Sequence, residues 1–309
     1  MTKGNNGAPK APVGRARFYK AVTVAAVNSP SHRAEGASST SHRAEGASST
    51  SHRAEGASST RRGDGLGVGG TPTADVLQSP PSYPSPAREQ GRACLFRVLL
   101  DGKPVRTPAK NEFLLPTRAL ADAVAAEWEA QTGRIDPVTM PLTKFANSAI
   151  DGVMGREAEV RADIVKYAGS DLVCYRAEGP PELVGRQVAG WDPVLAWSRD
   201  ALGASFQVVQ GITPAAQPEP ATASVARAIE AHGAFDLAAL HVMTTLMGSA
   251  LLALAHARGH LSADQAWSAA HIDEDWQISR WGEDAEAKAR RERRWLDMRA
   301  ASRLMQLLG

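Results

Sequence analysis

His271, Glu274 and Asp275 are the residues of this 309-residue chain best spaced for metal chemistry. On a helix, His271 and Asp275 lie four apart on one face, with Glu274 three from His271. Such pairs can bind a divalent ion. A metal-dependent hydrolase using these three residues is therefore one function to test. His256 and His260 are also four apart, but His260 lies just past the helix-ending Gly259. No second Glu-x-x-His element accompanies them, and solvated polar residues are the plainer account. Acyl-transfer chemistry has less to stand on. The chain has no Gly-x-Ser-x-Gly elbow. Cys94 and Cys174 lack activating neighbours and metal-ligand spacing, and a pair outside any disulfide framework suits a reducing compartment.

Recognition is the other chemistry on offer. The stretch from His271 to Asp284 packs Asp273, Glu274, Asp275, Glu283 and Asp284 around Trp276 and Trp281. It reads as the end of one helix and the start of another. Charge beside large aromatics is expensive inside a core and useful on a surface that grips a partner. Dipole complementation at the start of the second helix accounts for Glu283, Asp284 and Glu286. It does not account for Asp273, Glu274 and Asp275, read at the end of the preceding helix, where acids are unfavourable. Residues that lower local stability are often kept for function. Trp276 and Trp281 are expected on an exposed or half-exposed binding surface. Trp197, Trp267 and Trp295 sit among apolar or alanine-rich positions and are expected in the core. Trp128, between Glu127 and Glu129, is expected to anchor the junction of two domains.

The bulk numbers exclude little. Net charge is +2 and 43% of residues are hydrophobic, enough for a substantial core. No strong global field points to nucleic acid or membrane. The apolar run from Leu237 to Ala257 contains His241, Thr244, Thr245 and His256. It fits a buried helix better than a membrane span. Met1 to Lys20 is basic without an apolar core, so it is not a secretory signal. It is acid-poor, as a mitochondrial transit peptide would be, but short and poor in serine and arginine.

Residues 31–60 are three identical copies of a ten-residue unit, Ser-His-Arg-Ala-Glu-Gly-Ala-Ser-Ser-Thr. The unit has no large apolar side chain to offset the entropy of ordering. A glycine-rich and then a proline-rich stretch follow. The glycines lack the strand before and helix after that a phosphate loop needs. The repeated His32, His42 and His52 are too widely spaced in such a tract for a good chelate. A disordered insertion over about 28–94 is expected.

The remaining sequence supplies the positioning elements. Phe18–Val24 and Phe96–Leu100 read as strands, and Asp101-Gly102 as a two-residue hairpin turn. Pro104–Thr107 returns and Phe113–Leu115 reads as a further strand. The insertion, between the first two strands, falls within a hairpin connection at a sheet edge, where length costs little. Thr117 is a plausible N-cap for a helix stopped by Gly133. Helices are expected over 141–153, 156–168, 181–202 with an interruption or kink at Pro193, 219–232, 236–258, from the Ser262 capping box, and over about 283–308. Residues 172–175 are ambiguous, and 206–209 look extended. The fold class is α+β. A flexible tail over 1–16 precedes a small antiparallel β-rich N-terminal domain over 17–140, and an all-helical C-terminal domain follows over 141–309.

Several segments together resemble one family, the assembly chaperones for the catalytic head of F-type ATP synthase. They are Arg17-Phe18-Tyr19-Lys20, Leu100 to Pro108, Leu115-Pro116-Thr117 leading to Ala126-Glu127-Trp128, Met140-Pro141-Leu142-Thr143, Asp171 to Ala177, and Asp273-Glu274-Asp275-Trp276-Gln277 with Trp281-Gly282. Each is weak alone, but their order matches. The insertion departs from the family pattern. The resemblance implies no catalysis and no cofactor. It implies a partner, the unassembled ATP synthase alpha subunit, kept from aggregating until it pairs with beta. It implies that the acidic segment Asp273, Glu274 and Asp275 is functionally sensitive, without singling out one of the three, and that Trp128 is structural. Asp273, Glu274, Asp275, Trp276, Trp281 and Glu283 are the expected partner-binding residues. Neither nucleic-acid binding nor membrane insertion is expected, and the free protein should be a monomer. Composition and the lack of a clear presequence favour a bacterial cytoplasm, or the mitochondrial matrix if the source is eukaryotic. A structural module with an unrelated client is a further reading.

Overall fold

The computed structural model describes residues 14–27, 94–211 and 213–309. The disorder expected over 28–94 concerns residues outside these, apart from Cys94, which is exposed.

Strand β1 (Val22–Val27) pairs antiparallel with β2 (Leu95–Leu100), from Val22 opposite Leu100 to Val27 opposite Leu95. The insertion therefore leaves from one end of this ladder, between an edge strand and its partner, as expected. Asp101 and Gly102 both have positive φ, 48° and 78°, which a two-residue hairpin of this hand requires. The Asp101 carboxylate also accepts from the Lys20 and Ala21 amides at 2.9 and 2.8 Å. Strands β3 (Lys103–Pro104) and β4 (Leu114–Leu115) both pair with β2 and complete the sheet.

Thr117 caps helix α1 (Arg118–Glu129), accepting from the Leu120 amide at 3.1 Å. The helix ends at Glu129 and not at Gly133, because the segment from Arg17 to Tyr19 closes its C-terminus. Arg17 donates to the Glu129 and Gln131 carbonyls at 3.0 and 2.6 Å, where a cation meets the negative end of the dipole. The Tyr19 hydroxyl donates to the Trp128 carbonyl at 2.7 Å, and the two rings meet edge to face. Trp128 is thus tied into the packing of strand-side residues against α1.

Helix α2 (Pro141–Ser148) runs into a single wide turn over Ala149–Val153. Its N-terminus is capped from α1: the Glu127 carboxylate accepts from the Leu142 amide at 2.7 Å, the Thr143 amide at 2.8 Å and the Thr143 hydroxyl at 2.7 Å. Burial pushes the Glu127 carboxyl up, against these donors. Replacing Glu127 with alanine strips three donors of their acceptor. We expect a loss of about 1–3 kcal/mol in urea unfolding, with Glu127→Gln intermediate.

Helix α3 (Glu157–Ala168) leads to Asp171, a short 3-10 turn and β5 (Tyr175–Arg176). Helix α4 (Pro181–Leu202) carries Pro193 without interruption and ends at left-handed Gly203. Only Val209–Gln210 of the extended region forms a strand, β6, parallel to β5. Helix α5 (Glu219–Ile229) follows.

The expected 236–258 helix is two helices, α6 (Ala234–Met247) and α7 (Ala250–Ala257). Gly248 adopts φ +66° and Ser249 caps α7, accepting from the Leu252 amide at 3.0 Å. Both are largely buried and form the centre of a core that also takes in Val98, Phe113 and Leu115 from the sheet and Met298 and Leu304 from the last helix. The Ser262 capping box opens α8 (Ala263–Ala270) as expected. A separate helix, α9 (Ile272–Trp281), precedes α10 (Ala285–Leu308). The antiparallel sheet comes first and a mostly helical region follows, interrupted by the parallel pair β5–β6; the architecture is α+β.

Candidate functional site

Helix α9 corrects the reading of the acidic segment. His271 ends α8 and begins α9, so Asp273, Glu274 and Asp275 occupy the first turn of a helix and not the last turn of one. There they complement the dipole. Their position is therefore not unfavourable, and the case for function rests on what each carboxylate is free to do.

Asp273 accepts from the Gln187 side-chain amide of α4 at 2.7 Å, and Gln187 is itself buried. Asp275 accepts from Arg291 of α10, and this carboxylate raises the arginine's pKa. Glu274 is left. Its side chain is 38% exposed, and the nearest cation-capable group is the His271 ring at 3.8 Å. That ring is buried, with Nδ1 2.7 Å from the Trp267 carbonyl. Burial first, then the Arg291 and Arg294 charges, hold His271 below its ordinary pKa, against the pull of Trp267 and Glu274. His271, held toward its neutral form, gives Glu274 no firm ion pair, and the Glu274 charge reaches Arg291 only across space, where Asp275 already holds that guanidinium.

The two tryptophans part company. Trp276 is buried, with Arg280 over its ring and Trp281 edge-on at 5.5 Å. It does not offer the exposed surface expected of it. Trp281 is 74% exposed and does. Glu283 is exposed and pairs with Lys288 at 3.0 Å. Among the described residues, Glu274 is thus left without a holding partner and Trp281 is left exposed on α9, while Asp273, Asp275 and Trp276 hold the helix in place, Asp275 from a partly exposed position. Gln187, Arg291 and the Arg280–Glu182 pair do the same from other elements and escaped the sequence reading, because only the fold makes them neighbours. At Gly190 a Cβ would come within 2.3 Å of Ile272 Cδ1, so α4 approaches α9 closely.

This arrangement does not make the metal site considered above. His271 turns one ring nitrogen to a backbone carbonyl, and Asp275 is engaged by Arg291. Among the described residues no group of three or more His, Cys, Asp or Glu comes together. His256 bonds Ser302, while His260 stacks on Trp197, so those two are also separated in role. Cys174 is buried, which pushes its thiol up to about 12.

Known proteins share the sequence and the fold. The profile of the ATP12 chaperone protein family matches residues 85–199. A solved Agrobacterium tumefaciens protein is 48% identical over 70% of this chain and 81% of that one, with a TM-score of 0.68. Atp12 from Paracoccus denitrificans is 41% identical over 69% of this chain and 92% of its own, also at 0.68. The mitochondrial protein atp12 of Schizosaccharomyces pombe is 21% identical over 202 residues, 61% of this chain and 69% of its own length. Among the described residues no helix is long and apolar enough to cross a membrane. The chain belongs to the ATP12 family, chaperones of ATP synthase assembly, and it is not an enzyme.

Proposed function

We propose that this protein binds the unassembled alpha subunit of ATP synthase and keeps it from aggregating until the beta subunit takes its place. The observation that carries the site is Glu274, a carboxylate with no lysine or arginine in ion-pairing distance among the described residues, on the same short helix as the exposed Trp281. An apolar anchor beside a placed charge gives orientation and a contact that a partner can displace. Asp273, Asp275, Trp276 and Glu283 support that face. We place the protein in a bacterial cytoplasm, as a monomer when free and without a cofactor. The mitochondrial location of the yeast relative suits the matrix as the eukaryotic equivalent.

Light scattering by purified alpha subunit, diluted from denaturant without nucleotide, tests the reading. Stoichiometric protein should suppress the scattering. Scattering unchanged by an excess of the protein would sink the proposal.

A further inference from the structure

A second surface lies away from α9. Pro137, Val138, Pro141, Leu142, Leu296 and Ala300 floor an open groove of about 680 Å³ between the 137–141 turn and one face of α10. Val138 and Leu296 are 85% and 54% exposed, among the most exposed large apolar side chains described. The rim is cationic: Lys144, Arg293, Arg299 and Arg303. The two acids in the lining are already committed. Glu127 caps α2, and Asp297 lies 3.5 Å from Lys144. Arg293, Arg299 and Arg303 make no ion pair among the described residues. Arg299 lies over Trp295, and Arg303 reaches the Gln306 amide at 3.3 Å.

We propose that this groove docks an acidic amphipathic segment of a protein client. The proposal rests on the chaperone reading for the source of that segment, and it adds a contact distinct from the α9 face. Arg293 to Arg303 spans about 15 Å along α10, the length of about ten helical residues. A helix laid there would set apolar side chains at i, i+3 or i+4, and i+7 against Val138 and Leu296. Carboxylates on its flanks would meet three arginines whose forks are not held by acids. A bilayer suits the surface less well, because the apolar side chains line a concavity. Nucleic acid would leave the aliphatic floor without a partner.

The probe is a fluorescein-labelled helical peptide with leucines at that spacing and glutamates elsewhere, followed by anisotropy. The full-length protein should bind it. Leu296→Glu, and separately the double change Arg293→Glu with Arg303→Glu, should each weaken binding at least about tenfold. Val208→Glu, at an exposed residue not lining this groove, should not. Circular dichroism melts establish that each variant is folded, and two unlike groove changes guard against one failing. Equal binding of a scrambled peptide, or groove variants that bind like the parent, would overturn the proposal. So would finding that Leu296→Glu abolishes binding to phosphatidylglycerol vesicles, or breaks up a dimer in sedimentation, and leaves peptide binding alone. None of these results bears on the alpha-subunit reading, which is scored by alpha subunit alone.

Discussion

Asp171→Ala should lose about 3 kcal/mol or more of folding stability, the largest single-residue effect expected outside the apolar core. Asp171 is fully buried. Its carboxylate accepts from the Val173 amide at 3.2 Å and from the Leu251 amide at 3.0 Å, eighty residues away in sequence. It thereby caps both the turn that starts at Leu172 and the N-terminus of α7, at the break between the two most buried helices. Alanine would leave both amides buried without an acceptor. Asp171→Asn should be milder, since an amide oxygen can replace one acceptor while its NH2 faces the wrong groups.

The same residue gives a pH signature. Burial outweighs the donors and pushes its carboxyl up to about 6. A folded pKa raised above the unfolded value means that its contribution is fully present below about pH 3.9 and is lost as pH rises through 6. Between pH 5 and pH 7 the parent protein should therefore lose about 1 kcal/mol that Asp171→Asn does not lose. Urea unfolding of both proteins at the two pH values reads this directly. Parallel pH dependences would show that the carboxyl titrates outside this window.

Glu274→Lys should weaken capture of the alpha subunit by about tenfold or more while leaving the melting temperature within a few degrees of the parent. The change reverses the one carboxylate of the α9 first turn that neither an amide nor an arginine engages directly among the described residues. It places a lysine near the Arg291 charge, which Glu274 favours in the parent. Asp275→Lys should behave differently. It breaks the ion pair with Arg291 and so loosens α9 itself, which lowers stability and binding together. Trp281→Ala removes exposed apolar area without touching the core and should weaken binding alone. If Glu274→Lys and Trp281→Ala both bind like the parent, the client sits elsewhere.

Much of the fold was legible because local signals were strong. The Asp101-Gly102 turn, the Thr117 cap and the Ser262 box are each set by neighbours in sequence, and all three form. The break at Gly248-Ser249 was missed because apolar residues continue on both sides of it, masking a glycine and a serine that make a normal stop and start. The break at His271 was harder, since no glycine or proline marks it. That error put three acids at the wrong end of a helix and lent them a false strain. The separation of the tryptophans was within reach. Five positions on a helix turn a side chain by about 140°, so Trp276 and Trp281 could not share one face. By contrast, nothing near Asp171 or Gln187 announces its partner, because the partner lies eighty or more residues away. Several segments that carry the family resemblance turn out to be joints of this sort: Arg17 to Tyr19 on α1, Glu127 on α2, Asp171 on α7.

The measurement closest to the central claim is co-expression of this protein with the ATP synthase alpha subunit, followed by size-exclusion chromatography with light scattering. The account predicts a one-to-one complex with alpha that needs no nucleotide and dissolves when beta is supplied. Recovery of the protein alone, or in a complex with beta in place of alpha, would contradict it.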